Sequence, residues 1–74
     1  MSYDYSSLLG KITEKCGTQY NFSIAMGLSE RSISLKFNDK VSWKDDEILK
    51  AIHVLDIDPK DISKYFFNAK VHDK

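Results

Sequence analysis

The chain has 74 residues, with 11 basic and 11 acidic side chains and a hydrophobic content of 42%. This length allows one domain with a modest core, for which dimerisation would be a natural supplement. No apolar run is long enough to cross a membrane or to serve as a leader, and the lone cysteine, Cys16, excludes an internal disulfide and a multi-cysteine metal site, so a soluble protein of the cytoplasm is expected.

Tyr5, Leu8, Leu9, Ile12 and Cys16 recur at helical spacing and predict an amphipathic helix over Asp4 to Lys15. Asp4 is its expected N-cap, Gly17 its stop, and Cys16 a small buried apolar residue near its end. Thr18 then caps a second helix, Gln19 to Met26, with Phe22, Ala25 and Met26 facing inward. Gly27 follows directly and suits a left-handed turn, because it has no Cβ to clash there. Leu28 plugs the gap between helices, and Ser29 caps a third helix, Glu30 to Phe37, whose inward residues are Ile33 and Phe37.

Asn38-Asp39-Lys40 reads as a turn. Ser42 is the expected cap of a fourth helix, with Trp43 in its first turn packed over the core. Asp45, Asp46 and Glu47 sit where carboxylates favour the positive end of the helix dipole. The apolar stripe of that helix is Ile48, Ala51, Ile52 and Leu55. Asp58-Pro59 opens a fifth short helix that carries Ile62, Tyr65 and Phe66, and residues 68–74 form a polar tail expected to fray.

The expected class is therefore all-α: one compact five-helix, repressor-like helix-turn-helix domain over residues 1–74, with the helix-turn-helix unit at about 18–38. Its expected core is Leu8, Leu9, Ile12, Phe22, Met26, Ile33, Phe37, Ile48, Ile52, Leu55 and Ile62.

Catalytic readings find no support. His53 and His72 are far apart and lack cysteine or acidic partners, and His53 borders an apolar stripe. The consecutive residues Asp45, Asp46 and Glu47 point in different directions on a helix, which suits a solvated helix start better than a metal. There is no phosphate-binding glycine loop and no recognisable nucleophile, base and orienting group. Neither an enzyme, a cofactor nor a metal is expected.

A short helix, a glycine turn and a second helix with small polar residues make the arrangement that enters a DNA major groove. In that reading Ser29, Glu30, Arg31, Ser34 and Leu35 are the candidate base contacts. Arg31 can donate twice to guanine, Glu30 can accept from cytosine, Ser34 can serve either kind of edge, and Leu35 can meet a thymine methyl. Candidate phosphate contacts are Gln19, Lys36, Asn38, Lys40 and Lys44. Leu28 to Lys44 carries Arg31, Lys36, Lys40 and Lys44 against Glu30 and Asp39, a local basic excess within a neutral chain. The dense aromatics Tyr65, Phe66 and Phe67 suggest one or two buried rings and a homodimer contact from the rest. A dimer would offer two recognition helices to successive half-sites of a double-stranded operator.

The segment QYNFSIAMGLSERSISLKFN resembles the phage Cro-type and repressor-type helix-turn-helix family through Gln19, Phe22, Met26, Gly27, Leu28, Ser29, Ile33, Phe37 and Asn38. The flanks YDYSSLLGKITEKCGTQ and VSWKDDEILKAIHVLDIDPKDISKYFF extend the likeness to nearly the whole chain, and resemble proteins of Gram-positive phages labelled Cro repressors. The resemblance implies operator binding by the third helix and a role in the choice between lysis and lysogeny. It places base reading on Glu30, Arg31, Ser34 and Leu35, and phosphate contact on Gln19 and Asn38. Ser23 stands where the pattern usually has alanine at the closest helix approach, and net positive charge is missing. The resemblance also implies an alternative, a phage modulator that binds the repressor protein and blocks its DNA contact. In that case Leu35, Glu30 and the serines would form a protein interface.

Overall fold

The computed structural model describes residues 3–69, in which five α-helices follow one another. They are α1 (Ser6–Cys16), α2 (Gln19–Met26), α3 (Glu30–Phe37), α4 (Asp45–Leu55) and α5 (Ile62–Phe66), the last entered through a 3-10 turn at Pro59–Asp61. The described residues contain no strand, only an isolated bridge between Tyr3 and Ala69. The all-α, five-helix architecture expected from the periodicity is the one observed.

Helix ends follow local chemistry. The hydroxyl of Thr18 accepts from the Asn21 N–H at 3.0 Å, and that of Ser29 accepts from the Ser32 N–H at 3.1 Å. Each satisfies a donor that the first helical turn leaves open, a contribution of about 1 kcal/mol. α2 closes at Gly27 (φ 72°), whose N–H donates to Ile24 while Leu28 donates back to Ser23. The same pair of bonds ends α3 at Asp39 (φ 60°) and α4 at Asp56 (φ 55°), so short acidic residues take the left-handed position there.

Two starts differ from expectation. α1 begins at Ser6 rather than Asp4, although the Asp4 carboxylate does accept from the Ser6 N–H at 2.9 Å. Ser42 does not cap α4, and Trp43 precedes that helix rather than lying in its first turn. The helix starts at Asp45 because the Glu47 carboxylate reaches back to the Lys44 N–H at 2.8 Å, a bond that only this register permits.

Tyr5, Leu8, Ile12, Phe22, Met26, Ile33, Ile48, Ala51, Ile52, Leu55, Ile57 and Phe66 form the core. Leu9 is exposed, while Phe37 and Ile62 only pack against the core, so these three expected core residues are corrected outward. Cys16 likewise packs against the core only in part. On α2 the inward small residue is Ser23 and not Ala25, which faces solvent. Burying Ser23 is possible because its hydroxyl donates to the Tyr20 carbonyl at 2.6 Å, leaving no unmet donor. Asn68 and Ala69 do not fray: the Asp4 N–H donates to the Asn68 carbonyl at 2.7 Å, beside the Tyr3–Ala69 bridge. The rest of the expected frayed tail, and His72 with it, lies outside the described residues.

Candidate functional site

The α2–α3 unit is built on a few anchors. Phe22 and Ile33 are fully buried and seat the two helices on the core. Asn21 ties α2 to α1 by donating from its side-chain amide to the Cys16 carbonyl at 2.9 Å. What these anchors leave outward is the surface available to a partner.

On α3, Glu30 and Arg31 are exposed, and Ser34 and Leu35 are half-buried. Ser29 is exposed, but its hydroxyl is engaged with Ser32 through both the Ser32 N–H and, at 2.9 Å, the Ser32 hydroxyl. Gln19 is half-buried at the start of α2. Asn38 is exposed, yet its amide donates to the Ser34 carbonyl at 3.0 Å. Lys40 and Lys44 are exposed beyond the end of α3.

Lys36 is the principal correction. It is not a surface cation but 4% exposed. Its ammonium lies 2.8 Å from the Glu47 carboxylate, donates to the Ser42 carbonyl at 3.2 Å, and sits 5.7 Å from the centre of the Trp43 ring. This lysine is committed to joining α3 to the start of α4 and has no free charge for a phosphate. Burial alone would raise the Glu47 pKa, but the Lys36 hydrogen bond, the Lys44 N–H and the nearby positive charges outweigh it and hold the carboxyl below its ordinary value. Arg31 is therefore the one outward cation on the two helices, with Glu30 next to it.

The outer side of α2 carries a feature that the sequence reading passed over. Tyr20 and Ile24, four apart and thus on one face, are 56% and 62% exposed. The exposed Ala25 adjoins them, and α2 contains no charged residue at all. A signal was present: apolar residues occur around the whole of this helix, more than one buried stripe can use. At this position a DNA-binding unit requires cations and polar donors for phosphates. An exposed tyrosine–isoleucine pair instead suits contact with another protein.

The C-terminal aromatics are buried to different depths. Phe66 is buried, Tyr65 is half-buried, and only Phe67 is substantially exposed, packed edge-on against Tyr3 at 5.8 Å. Among the described residues no helix is long and apolar enough to cross a membrane.

The model of a family described as "Protein of unknown function (DUF739)" matches residues 1–69. No curated protein matches the chain. Among solved structures, the chain is similar to the modulator of repression (MOR) of the temperate bacteriophage TP901-1 from Lactococcus lactis, known from a solution structure. The two are 85% identical, the match covers 97% of each chain, and the TM-score is 0.82. This relative corrects the expectation of a DNA-binding, Cro-like repressor. A protein so similar over its whole length is a modulator of repression, which agrees with the buried Lys36 and the uncharged α2.

Proposed function

The chain belongs to the DUF739 family, and from its solved relative we propose that it is a modulator of phage repression that binds the phage repressor protein and blocks the repressor's contact with DNA. The relative supports the regulatory role. One observation carries the mode of action: the exposed Tyr20–Ile24 face of the uncharged helix α2, beside an α3 whose lysine is turned inward. An apolar face of this kind gains by leaving water against a protein surface and gains little from phosphates. Glu30, Arg31 and Leu35 on α3 extend the contact, with the charged pair setting orientation at the rim. The protein acts by binding alone, without a catalytic step or a cofactor, in the cytoplasm of the bacterial host where repressor and operator meet.

The test is a gel shift on DNA that carries the repressor's operator. The chain alone should leave the DNA unshifted at physiological salt. Added to the repressor, it should abolish the repressor's shift in proportion to its concentration, and a repressor–modulator complex should appear by size-exclusion chromatography. A shift by the chain alone would sink the proposal. A slower ternary band of DNA, repressor and chain would equally contradict the blocking mechanism.

A further inference from the structure

Lys36 and Glu47 form an ion pair that the proposed contact does not itself touch. Their charged atoms are 2.8 Å apart, and the side chains are 4% and 14% exposed. The same Glu47 oxygen accepts from the Lys44 N–H at 2.8 Å. The Lys36 ammonium also donates to the Ser42 carbonyl at 3.2 Å. One lysine of α3 thus grips both the connection to α4 and the first turn of α4. Such a pair is a poor source of stability, because taking two charges out of water offsets most of their attraction. Its best-attested use is to select one arrangement among several that apolar packing would allow.

α3 is the helix for which that selection matters. It packs chiefly on α2. Its apolar anchors are Ile33, fully buried, and Phe37, partly buried and edge-on to Tyr5 at 5.5 Å and to Trp43 at 5.7 Å. Apolar contacts are non-directional, so two of them on a helix of two turns leave it free to roll and slide. Charge-assisted hydrogen bonds are short and directional. Side chains leave a helix at fixed angles, so fixing the direction of Lys36 also fixes the directions of Arg31 and Leu35.

We propose that Lys36 is a positioning residue: through Glu47 and Ser42 it holds α3 in the orientation in which Arg31 and Leu35 meet the partner protein. It makes no contact with the partner itself. The proposal rests on the reading of the α2–α3 face as a repressor contact, and it assigns the pair to recognition rather than to stability.

The double variant Lys36→Met/Glu47→Gln removes both charges together. Methionine fills the space of the lysine, and glutamine still accepts from the Lys44 N–H, as it does in a capping box. Two measurements compare the full-length variant with the wild type. The first needs no repressor: amide exchange followed by NMR. The amides of Ile33 to Asn38 should exchange at least tenfold faster than in the wild type, after correction for any change shared with α1, which reports the stability of the whole domain. The second is calorimetric titration with the repressor, in which the folded variant should bind at least tenfold more weakly. A pair that supplies only stability would change exchange in α1 and α3 alike and leave binding intact, and that result would overturn the proposal. Faster exchange confined to α3 with unchanged binding would overturn it too. Should the double variant not fold, Glu47→Gln alone carries the same test, since it keeps the Lys44 bond and loses the charge that holds the ammonium. Faster α3 exchange with weaker binding would support the proposal, and wild-type behaviour in either would overturn it. A wild-type chain that binds no repressor would overturn the proposed function itself, a failure visible before any variant is made.

Discussion

Lys36 behaves unlike its residue type, and the consequences can be measured. Removing one member of a buried ion pair strands the other. Lys36→Ala should therefore destabilise the domain by about 3 kcal/mol, the low end for such pairs because Glu47 still touches water. Lys36→Met combined with Glu47→Leu should recover much of that loss, and urea unfolding of the three proteins checks both statements. The pH dependence has a definite sign. Glu47 has a depressed pKa in the folded state, so its contribution is complete above the ordinary value of 4.5 and disappears as pH falls through the folded value. Glu47→Gln should flatten the decline in stability with acid below that pH, read from melting temperatures across an acid series. Gly27 gives a second residue-scale prediction. A Cβ there would meet nothing closer than the Lys50 ammonium at 3.5 Å, so space is not the constraint; the positive φ is. Gly27→Val should cost about 1–2 kcal/mol or more, roughly 4–8 °C of melting temperature per kcal/mol in a domain this small, while Gly27→Asn should recover most of it. Gly27 could be read from sequence because the turn needs only local chemistry. The setting of Lys36 could not, because its carboxylate partner lies across a loop that sequence periodicity does not describe.

Among the elements, α2 and α3 match their expected bounds because their caps are local: Thr18 and Ser29 mark the starts, and Gly27 a stop. The start of α4 is less legible, since Ser42 resembles a cap, whereas the helix begins where Glu47 bonds back to the Lys44 N–H and, across the loop, pairs with Lys36. The outward face of α2 was hidden for a different reason. Its apolar residues do not separate into faces by spacing alone, and Ser23 takes the buried position that Ala25 was expected to hold. Once the buried set is known, Tyr20 and Ile24 have no structural role left, which locates the proposed contact. Tyr20→Ser and Ile24→Ser should each weaken repressor binding at least tenfold in calorimetric titration. Both variants should keep stability within about 0.5 kcal/mol, as surface substitutions do. A loss of binding accompanied by unfolding would contradict the assignment of these side chains to an interface.

At the level of the whole molecule, the described residues close on themselves. Phe66, 1% exposed, places the last helix in the core, and the Tyr3–Ala69 bridge joins the first and last described residues. Phe66→Ala should cost about 3–5 kcal/mol, a large share of what so small a domain has. Far-UV circular dichroism and amide exchange should show a largely unfolded chain rather than one with a loosened end. The inward turn of Lys36 also matters in the cell. A chromosome offers on the order of 10⁶–10⁹ non-specific sites, and a domain with a basic face spends most of its time on them. A molecule with no net charge and an uncharged outer helix is expected to have little of that reservoir. On the proposed reading, the dose that reaches its target should then follow the rate of synthesis without a buffer of DNA in between.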